Sequence, residues 1–490
     1  MISLSGPWVP DQYALNNAGA VTEAKGVLPG VNSYEPLPSL SEYTTTAIAT
    51  VCKGAVAVTT TAGARTIFAG TATKLYKFAG AASAWTDVTR SSGGDYSVPA
   101  DEFWQFTQFG NNLIAVNSAD NPQTINITSG SNFALLGGSP PRARYSRVIS
   151  DHLFFGGLST GENLVRWSGV NDAAFWTVGQ QDADFQEFAD GGNVKGITPL
   201  TSGGLIFQDD AVRRVIPQNS RAIFALPRIE AARGLKAPYS LGLVGGLAIY
   251  WGGDGFYSIG PEGGSAPIGF GGVDDWFSSV VNLGRLGSIV SAVDPIRRRV
   301  IWLFPTAGNS STALDHLLAY DMDLKKFTHA EVSASFIFPA AVPGISLEGL
   351  DNLGYTMETL PFSLDSSFLQ GGTPYLGAFN TSNKLAFFNG ANQAARLTSS
   401  GMHLIPGRRS YVNGCVPFTD AQGVTISVGK KERPQDTGFT YGAEVAINAQ
   451  GLSPQRSSAR IHRFRLNVAA GETWTHIQGL DPIFTTDGDR

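Results

Sequence analysis

The chain has 490 residues, of which 42% are hydrophobic and only 15% are charged, against roughly 25% charged residues in an average globular protein. It carries a formal net charge of −5 and contains 58 glycines, 29 phenylalanines and two cysteines. This acidic balance argues against sequence-specific nucleic-acid binding, which usually needs a basic patch or a high isoelectric point. Cys52 and Cys415 form neither a metal-binding spacing nor a disulfide framework.

The first 40 residues differ from the rest of the chain. They are rich in Pro, Asn and Ser and show no sustained periodicity, so we predict an extended arm over residues 1–40 that lies on the body or on a neighbour. The first residues lack the basic region followed by an apolar run that a signal peptide would have. No apolar run reaches the ~18 residues of a membrane helix. We therefore expect a soluble chain that is made in the cytoplasm.

A pattern of glycine-containing turns and short apolar strands recurs from about residue 43. The leading strand of each unit lies near positions 67, 114, 154, 206, 248, 301 and 376. Most of these gaps are roughly 40–55 residues, which is typical of a four-stranded propeller blade. The sequence therefore predicts an all-β fold with an irregular β-propeller of six to eight blades over residues 41–394, and an insertion near 340–372.

The C-terminal part changes character. Segments 424–428, 444–447 and 460–468 read as strands, and the last alternates so that Arg463, Arg465 and Asn467 share one face. We predict a β-sandwich-like region over residues 395–490. The alternative is that this region closes the propeller by lending a strand to the first blade.

The chemistry-bearing residues do not form a known catalytic pattern. The six histidines lack zinc-site spacing, the glycine-rich runs lack a P-loop lysine, and there is no nucleophile elbow. We interpret the basic run 297–299 as a solvated hairpin turn. Five pairs of acidic residues are interpreted as turn residues rather than calcium ligands or catalytic groups: Asp182/Asp184, Asp209/Asp210, Asp274/Asp275, Asp321/Asp323 and Asp487/Asp489. We therefore predict no enzyme activity, no cofactor and no metal.

Several short phrases occur in order along the chain: residues 6–10 with 28–38, 69–88, 106–117, 166–172 with 175–176, and 252–257 with 267–269 and 273–277. Taken together they resemble the tail hub or nozzle proteins of short-tailed bacteriophages, a group that includes tail tubular protein B and the packaged-DNA stabilisation proteins. The family-like structural positions are Trp8, Pro10, Trp85, Trp167, Ser168, Gly169, Asp172, Trp176, Asp254, Gly255, Phe256 and Trp276.

The resemblance implies a propeller-bearing subunit of a homo-hexameric ring below the head-to-tail adaptor. Such a ring continues the DNA channel, helps to retain packaged DNA until ejection, and anchors tail fibres, spikes or a needle. DNA would pass non-specifically through its lumen, because phosphate contacts need Lys or Arg and this chain is mildly acidic. The protein would belong to the virion tail and would be assembled in the host bacterial cytoplasm.

Two other functions remain open at this point. The aromatic content and the paired carboxylates would suit a carbohydrate-binding or glycan-hydrolysing propeller. A bacterial scaffold propeller unrelated to phage would share the same rigid, β-rich composition.

Overall fold

The structure is a computed structural model that describes residues 1–13, 15, 19–61, 63–79, 84–218, 223–294, 296–341 and 374–487. Nearly all of its regular structure is β, in many small antiparallel sheets, and the all-β propeller prediction is confirmed. The insertion predicted near 340–372 lies, from residue 342 onward, outside the described residues. In the described part of the chain, no helix is both long enough and apolar enough to cross a membrane.

The N-terminal segment is built into the body of the molecule. It forms five strands: β1 (Ile2–Ser3), β2 (Val21–Lys25), β3 (Val27–Gly30), β4 (Ser33–Pro36) and β5 (Pro38–Glu42). The first four join the sheets of the C-terminal region, whereas β5 joins a propeller blade. The segment that we predicted as an extended arm is therefore built into the sheets through these five strands.

Five separate antiparallel sheets follow β5 along the chain. The first contains β6 (Ala55–Thr59), β7 (Arg65–Gly70), β8 (Leu75–Ala79) and β9 (Ala84–Asp87); the second contains β10 (Gln105–Phe109), β11 (Asn112–Val116), β12 (Gln123–Asn126) and β13 (Ala134–Leu135); the third contains β14 (Ala143–Ile149), β15 (His152–Leu158), β16 (Gly161–Trp167) and β17 (Asp184–Glu187). The fourth contains β18 (Val194–Pro199), β19 (Gly204–Gln208), β20 (Val212–Pro217), β21 (Phe224–Ala225) and β22 (Arg228–Glu230); the fifth contains β23 (Gly242–Val244), β24 (Leu247–Trp251), β25 (Phe256–Ile259) and β26 (Ala266–Pro267).

Two further blades share one long strand. The strands are β27 (Val290–Val293), β28 (Arg299–Phe304), β29 (Leu314–Asp321), β30 (Lys326–Ala341), β31 (Pro374–Asn380) and β32 (Leu385–Asn392). The first part of β30 pairs with β29, and its second part pairs with β31. The outer strand of the last blade is β5, which pairs with β32. The described residues thus form seven units, each of four strands except the fourth, in which both β21 and β22 pair with β20.

The apolar pattern of the second strand in each blade explains why the units stand side by side. Successive side chains of a strand point to opposite faces, and both faces of these strands are buried. Ile67 packs in one cluster with Phe379 of the last blade, whereas Phe68 packs in another with Leu113 of the second blade. The clusters between blades thus continue around the ring and close between the seventh and first units.

The C-terminal region is a two-sheet sandwich. Its strands are β33 (Ala395–Ser399), β34 (Ser410–Thr419), β35 (Val424–Lys431), β36 (Thr440–Tyr441), β37 (Val445–Ala446), β38 (Ser453–Ala459), β39 (Ile461–Val468) and β40 (Ile477–Thr486). One sheet runs β3-β4-β40-β34-β38, and the other contains β2, β33, β39 and β35. The strand that completes the propeller comes from the N-terminus, not from this region.

The sandwich and the propeller are joined by a shared sheet. Strand β2 pairs with β33 on one side and, in parallel, with β30 on the other, through Lys25 and His329. One hydrophobic cluster also spans both parts and includes Trp302 of the sixth blade and Leu466 of the sandwich. A short helix, α1 (Asp274–Val280), follows the fifth blade and lies at this joint, with 3-10 turns at Pro238–Ser240 and Leu283–Ser288 nearby in the chain.

Candidate functional site

Six of the family-like positions lie where the propeller meets the sandwich; we call this region the joint. They are Trp8, Pro10, Asp254, Gly255, Phe256 and Trp276. The backbone around Trp8 runs beside β2, because Val9 N donates to Val21 O and Val21 N donates to Pro7 O. The indole N–H of Trp8 then donates to Thr22 O at 3.2 Å.

Two tryptophans and a histidine pack together at the centre of the joint. The ring centroids of Trp8 and Trp276 are 4.7 Å apart in an edge-on arrangement, and Trp8 stacks on His329 at 4.6 Å. Burial lowers the pKa of His329 to about 3, with smaller contributions from His316 and Lys25. The imidazole is therefore neutral at physiological pH and serves as a packing surface for both indoles.

The loop after Pro10 holds the start of helix α1. The Asp11 carboxylate accepts hydrogen bonds from the backbone N–H groups of Asp275, at 2.9 Å, and Trp276, at 2.7 Å. These are donors that a helix start leaves without intrahelical partners. The sequence separation of 265 residues means that Asp11 ties the N-terminal segment to the end of the fifth blade.

Gly255 and Phe256 surround a buried carboxyl group. A Cβ atom on Gly255 would lie 2.5 Å from Asp274 Oδ2, so the site has no room for a larger residue. Asp274 Oδ1 accepts a hydrogen bond from Phe256 N at 3.1 Å. Burial raises the pKa of Asp274 to about 6, and the nearby carboxylates of Asp11 and Asp254 act in the same direction. Asp254 itself accepts a hydrogen bond from the Tyr257 hydroxyl at 3.0 Å.

The other six family-like positions lie in the propeller, away from the joint. Trp85 packs on Phe379, at 5.6 Å between ring centroids, in the cluster between the first and last blades. Trp167 stacks on Phe154 and donates its indole N–H to Asp182 O at 2.9 Å. Trp176 stacks on Phe155 in the cluster between the second and third blades.

Ser168, Gly169 and Asp172 shape the loop that connects β16 to β17. The buried Ser168 hydroxyl accepts from Leu153 N and donates to Gly169 O. The exposed Asp172 carboxylate accepts from Ala174 N at 2.9 Å. These contacts fold the loop back onto its blade, so the family-like positions form one joint and several blade contacts rather than a single cleft.

The acidic pairs mostly hold backbone or basic groups. Asp209 accepts from Asn193 N, and Asp321 accepts from the N–H groups of Asp323 and Leu324. The prediction of a fully solvated basic run at 297–299 is wrong for Arg299, which is only 2% exposed. Its guanidinium pairs with Asp321 at 2.8 Å and donates to Pro29 O, because β3 of the N-terminal segment covers this turn.

The described part of the chain has no cluster of metal-binding side chains, and its two thiols are buried. There, no three His, Cys, Asp or Glu residues lie close enough together to hold a metal ion. Cys52 and Cys415 are buried free thiols, and burial raises the pKa of each to about 12.

The propeller axis holds a cavity of about 190 Å³ that the sequence patterns did not indicate. Its wall comes from the innermost strands of several blades, and it is lined largely by apolar and backbone groups. Arg147 of β14 and Gln105 of β10 are the lining residues with long polar side chains. No local sequence pattern predicts that Arg147 lines a cavity, because the cavity forms only when strands far apart in the sequence close into a ring.

The outer face of the sandwich carries the arginines that the alternation of β39 predicted to share one side. Arg463 lies over the ring of Phe439, at 4.1 Å from its centroid, and Arg465 lies over Tyr441 at 3.9 Å. Arg465 also approaches Glu23 of β2 at 3.9 Å. These charged groups are thus covered by aromatic rings and tied to the N-terminal segment.

No protein-family model matches the chain, and no curated protein matches it in sequence. Among solved structures, it is similar to the extracellular domain of a putative hybrid two-component system from B. thetaiotaomicron, with 10% identity and a TM-score of 0.42 over 86% of this chain. The chain spans about half, 48%, of that domain's length.

The chain is also similar to two other solved structures. One is a chain of the mitotic checkpoint complex, with 9% identity and a TM-score of 0.39 over 74% of this chain and 96% of that one. The other is the Neurospora crassa Pan2 WD40 domain, with 8% identity and a TM-score of 0.35 over 72% and 88% of the two chains. At this distance the likenesses do not bear on function.

Proposed function

We propose that this chain is a structural subunit of a bacteriophage tail, a hub or nozzle protein that assembles into a ring below the head-to-tail adaptor. The observation that carries the proposal is the joint. Three of the positions that resemble the hub family, Trp8, Phe256 and Trp276, pack in the hydrophobic cluster that spans the propeller and the sandwich. A subunit that must bear load between head and distal tail needs such a rigid connection between its two parts.

The axial cavity of the propeller is too small for DNA. At about 190 Å³ it is smaller than the ~300–1,000 Å³ of ordinary ligand pockets. DNA therefore does not thread a single propeller. In this proposal DNA passes through a lumen between subunits, and the chain acts as a wall and an anchor, not as an enzyme.

An exposed aromatic pair offers a contact between copies. Among the large apolar side chains of the described residues, Tyr13 and Phe270 are 97% and 86% exposed. They lie on two loops that are hydrogen-bonded to each other, through Gln12 Nε2 and Gly271 O at 2.8 Å. Aromatic residues are enriched in the cores of protein interfaces, so we assign this pair to the interface with a second copy of the chain.

Light scattering and negative-stain images of the purified protein test the ring. We expect closed rings, sixfold by the family resemblance, that bind the head-to-tail adaptor from the same genome. Phe270→Ser should shift rings towards monomers that remain folded, because the side chain is exposed on the single chain. Leu135→Ser, at an exposed position on the second blade, is the matched control and should leave rings intact.

A chain that stays monomeric at tens of micromolar and never binds the adaptor would contradict the proposal. Release of sugar from glycans by the same preparation would replace it with the carbohydrate-active alternative.

A further inference from the structure

We propose that the axial cavity of the propeller is a binding site for one small oxyanion, a carboxylate or a phosphate, held by Arg147 and Gln105. This site is independent of the proposed ring, because it lies inside a single subunit. Arg147 is in the middle of β14, the innermost strand of the third blade, and its side chain lines the cavity.

The positive charge of Arg147 has no acidic partner among the described residues. Its Nη1 atom donates to Gln105 Oε1 and to the backbone oxygen of Ser146, both at 2.8 Å and both neutral. Arg144 on the same strand is the internal comparison, since its guanidinium pairs with the buried carboxylate of Glu102. Arg147, three residues after Arg144 on the same strand, thus lacks a comparable ion pair.

Several donors remain for a ligand. Both recorded bonds of Arg147 start at Nη1, so Nε and Nη2 keep three N–H groups without a recorded acceptor in the described ranges. Gln105 uses only its carbonyl oxygen as an acceptor, which leaves its amide N–H groups. A planar guanidinium with two parallel N–H groups matches the geometry of a carboxylate or phosphate.

The hydroxyls of two serines in the wall are already paired, whereas the buried hydroxyl of Tyr145, which also lines the cavity, has no hydrogen-bond partner among the described residues. The Ser146 hydroxyl bonds to Thr107 Oγ1 at 2.7 Å, and the Ser291 hydroxyl donates to Leu241 O at 3.0 Å. The first of these bonds links β10 to β14 next to Arg147, and the second links β27 to the residue before β23. Arg147 and Gln105 supply the long side-chain donors of this wall.

Energetics favour an anion at this position. Arg147 is partly buried, burial lowers its pKa with no opposing contribution from a nearby acid, and partial removal of a charge from water without an acidic partner is costly. Arginine nevertheless stays protonated in proteins. A bound oxyanion would neutralise the charge, and a cavity of about 190 Å³ has room for one small ion but not for a polymer.

Calorimetric titration of the full chain with inorganic phosphate and with citrate, at constant ionic strength held with sodium chloride, tests the site. We expect saturable binding at one site per chain. Arg147→Gln should weaken it at least tenfold, and Arg147→Lys, which keeps the charge but not the fork, should weaken it less. Arg142→Gln, at an exposed arginine just before the same strand, should bind like the original chain.

The shift in thermal midpoint on adding the anion provides a second measurement of binding that can be used even if a variant is destabilised. Phosphate or citrate should raise the midpoint of the original chain and of Arg142→Gln, but not that of Arg147→Gln. The proposal is overturned if neither anion binds saturably, or if Arg147→Gln binds as tightly as the original chain. Ring assembly is measured separately by light scattering, so the two proposals can fail independently.

Discussion

Two aspartates on one turn form ion pairs of very different exposure. Asp321 and Arg299 are 8% and 2% exposed, with 2.8 Å between Oδ2 and Nε. Asp323 and Arg298 are 57% and 51% exposed, with 2.7 Å between Oδ1 and Nη1. The distances are nearly equal, so the free-energy difference between the pairs comes from burial. Losing one partner of a buried pair leaves a charge that water cannot reach.

We therefore expect Asp321→Asn to lower the free energy of unfolding by about 3–5 kcal/mol. The amide oxygen can still accept from the turn N–H groups, so the loss reports mainly on the charge of Arg299. Asp323→Asn, the matched control, should cost no more than about 1 kcal/mol. Urea unfolding of both variants measures the difference, and equal costs would show that Arg299 reaches solvent.

The basic run at 297–299 shows that the exposure of a side chain cannot be predicted from its neighbours in the sequence alone. Three consecutive arginines follow Asp294 and read as one solvated turn, and two of them, Arg297 and Arg298, are indeed largely exposed. Arg299 differs because Pro29 and Glu35, some 270 positions earlier, cover it. No local pattern contains that long-range contact. The position of Arg147 in the cavity likewise depends on long-range contacts that no local pattern contains.

At the scale of elements, the most predictable strands were the second strands of the blades. The seven leading strands expected near positions 67 to 376 lie in β7, β11, β15, β19, β24, β28 and β31. Each is the second strand of its unit and is buried on both faces, so it reads as a continuous apolar run. The first and fourth strands are shorter or partly exposed and leave weaker patterns.

The N-terminal segment could not be placed from its own sequence. Residues 1–40 are short of apolar periodicity because each of their strands pairs with a strand more than 250 positions away, apart from the β3–β4 hairpin. The partners complete the sheets, so the segment needs few apolar residues of its own. Composition alone made these residues look like a loose arm.

The pairing of β5 with β32 leads to an expectation at this scale. The Thr44 hydroxyl is buried and accepts from Leu385 N at 3.1 Å, just beyond the end of β5. Thr44→Ala should cost about 1–2 kcal/mol, because it leaves that amide without its acceptor. Thr45→Ala, at the exposed neighbour, should have no measurable effect.

Hydrogen exchange followed by mass spectrometry checks this pairing directly. Amides in residues 38–44 and 385–392 should exchange as slowly as those of the innermost strands, and faster in Thr44→Ala. Rapid exchange of residues 38–44 in the original chain would mean that β5 is only loosely attached.

For the whole molecule, the shared sheet and the shared hydrophobic cluster make the propeller and the sandwich one cooperative unit. Strand β2 pairs with a strand of each part, and Trp8 is only 2% exposed within the cluster that spans both. Parts that share a core in this way are expected to unfold together.

We expect one calorimetric transition for the full chain. Trp8→Ala should lower the midpoint of that single transition, because removing a buried tryptophan typically costs 3–5 kcal/mol. Leu135→Ala, at a position 62% exposed, is the control and should leave the midpoint unchanged. Two separate transitions, with only one shifted by Trp8→Ala, would show that the parts unfold independently.

The use of β5 as the outer strand of the last blade also has a consequence for synthesis on the ribosome. Glu42 and Lys384, which form an ion pair across these two strands, are 342 positions apart. At 5–20 residues per second, the ribosome needs roughly 20–70 s to pass from one to the other. During that time β5 has been synthesised but its partner strand β32 has not. A ribosome that stalled in this interval would release an open ring whose unpaired strand edges invite aggregation.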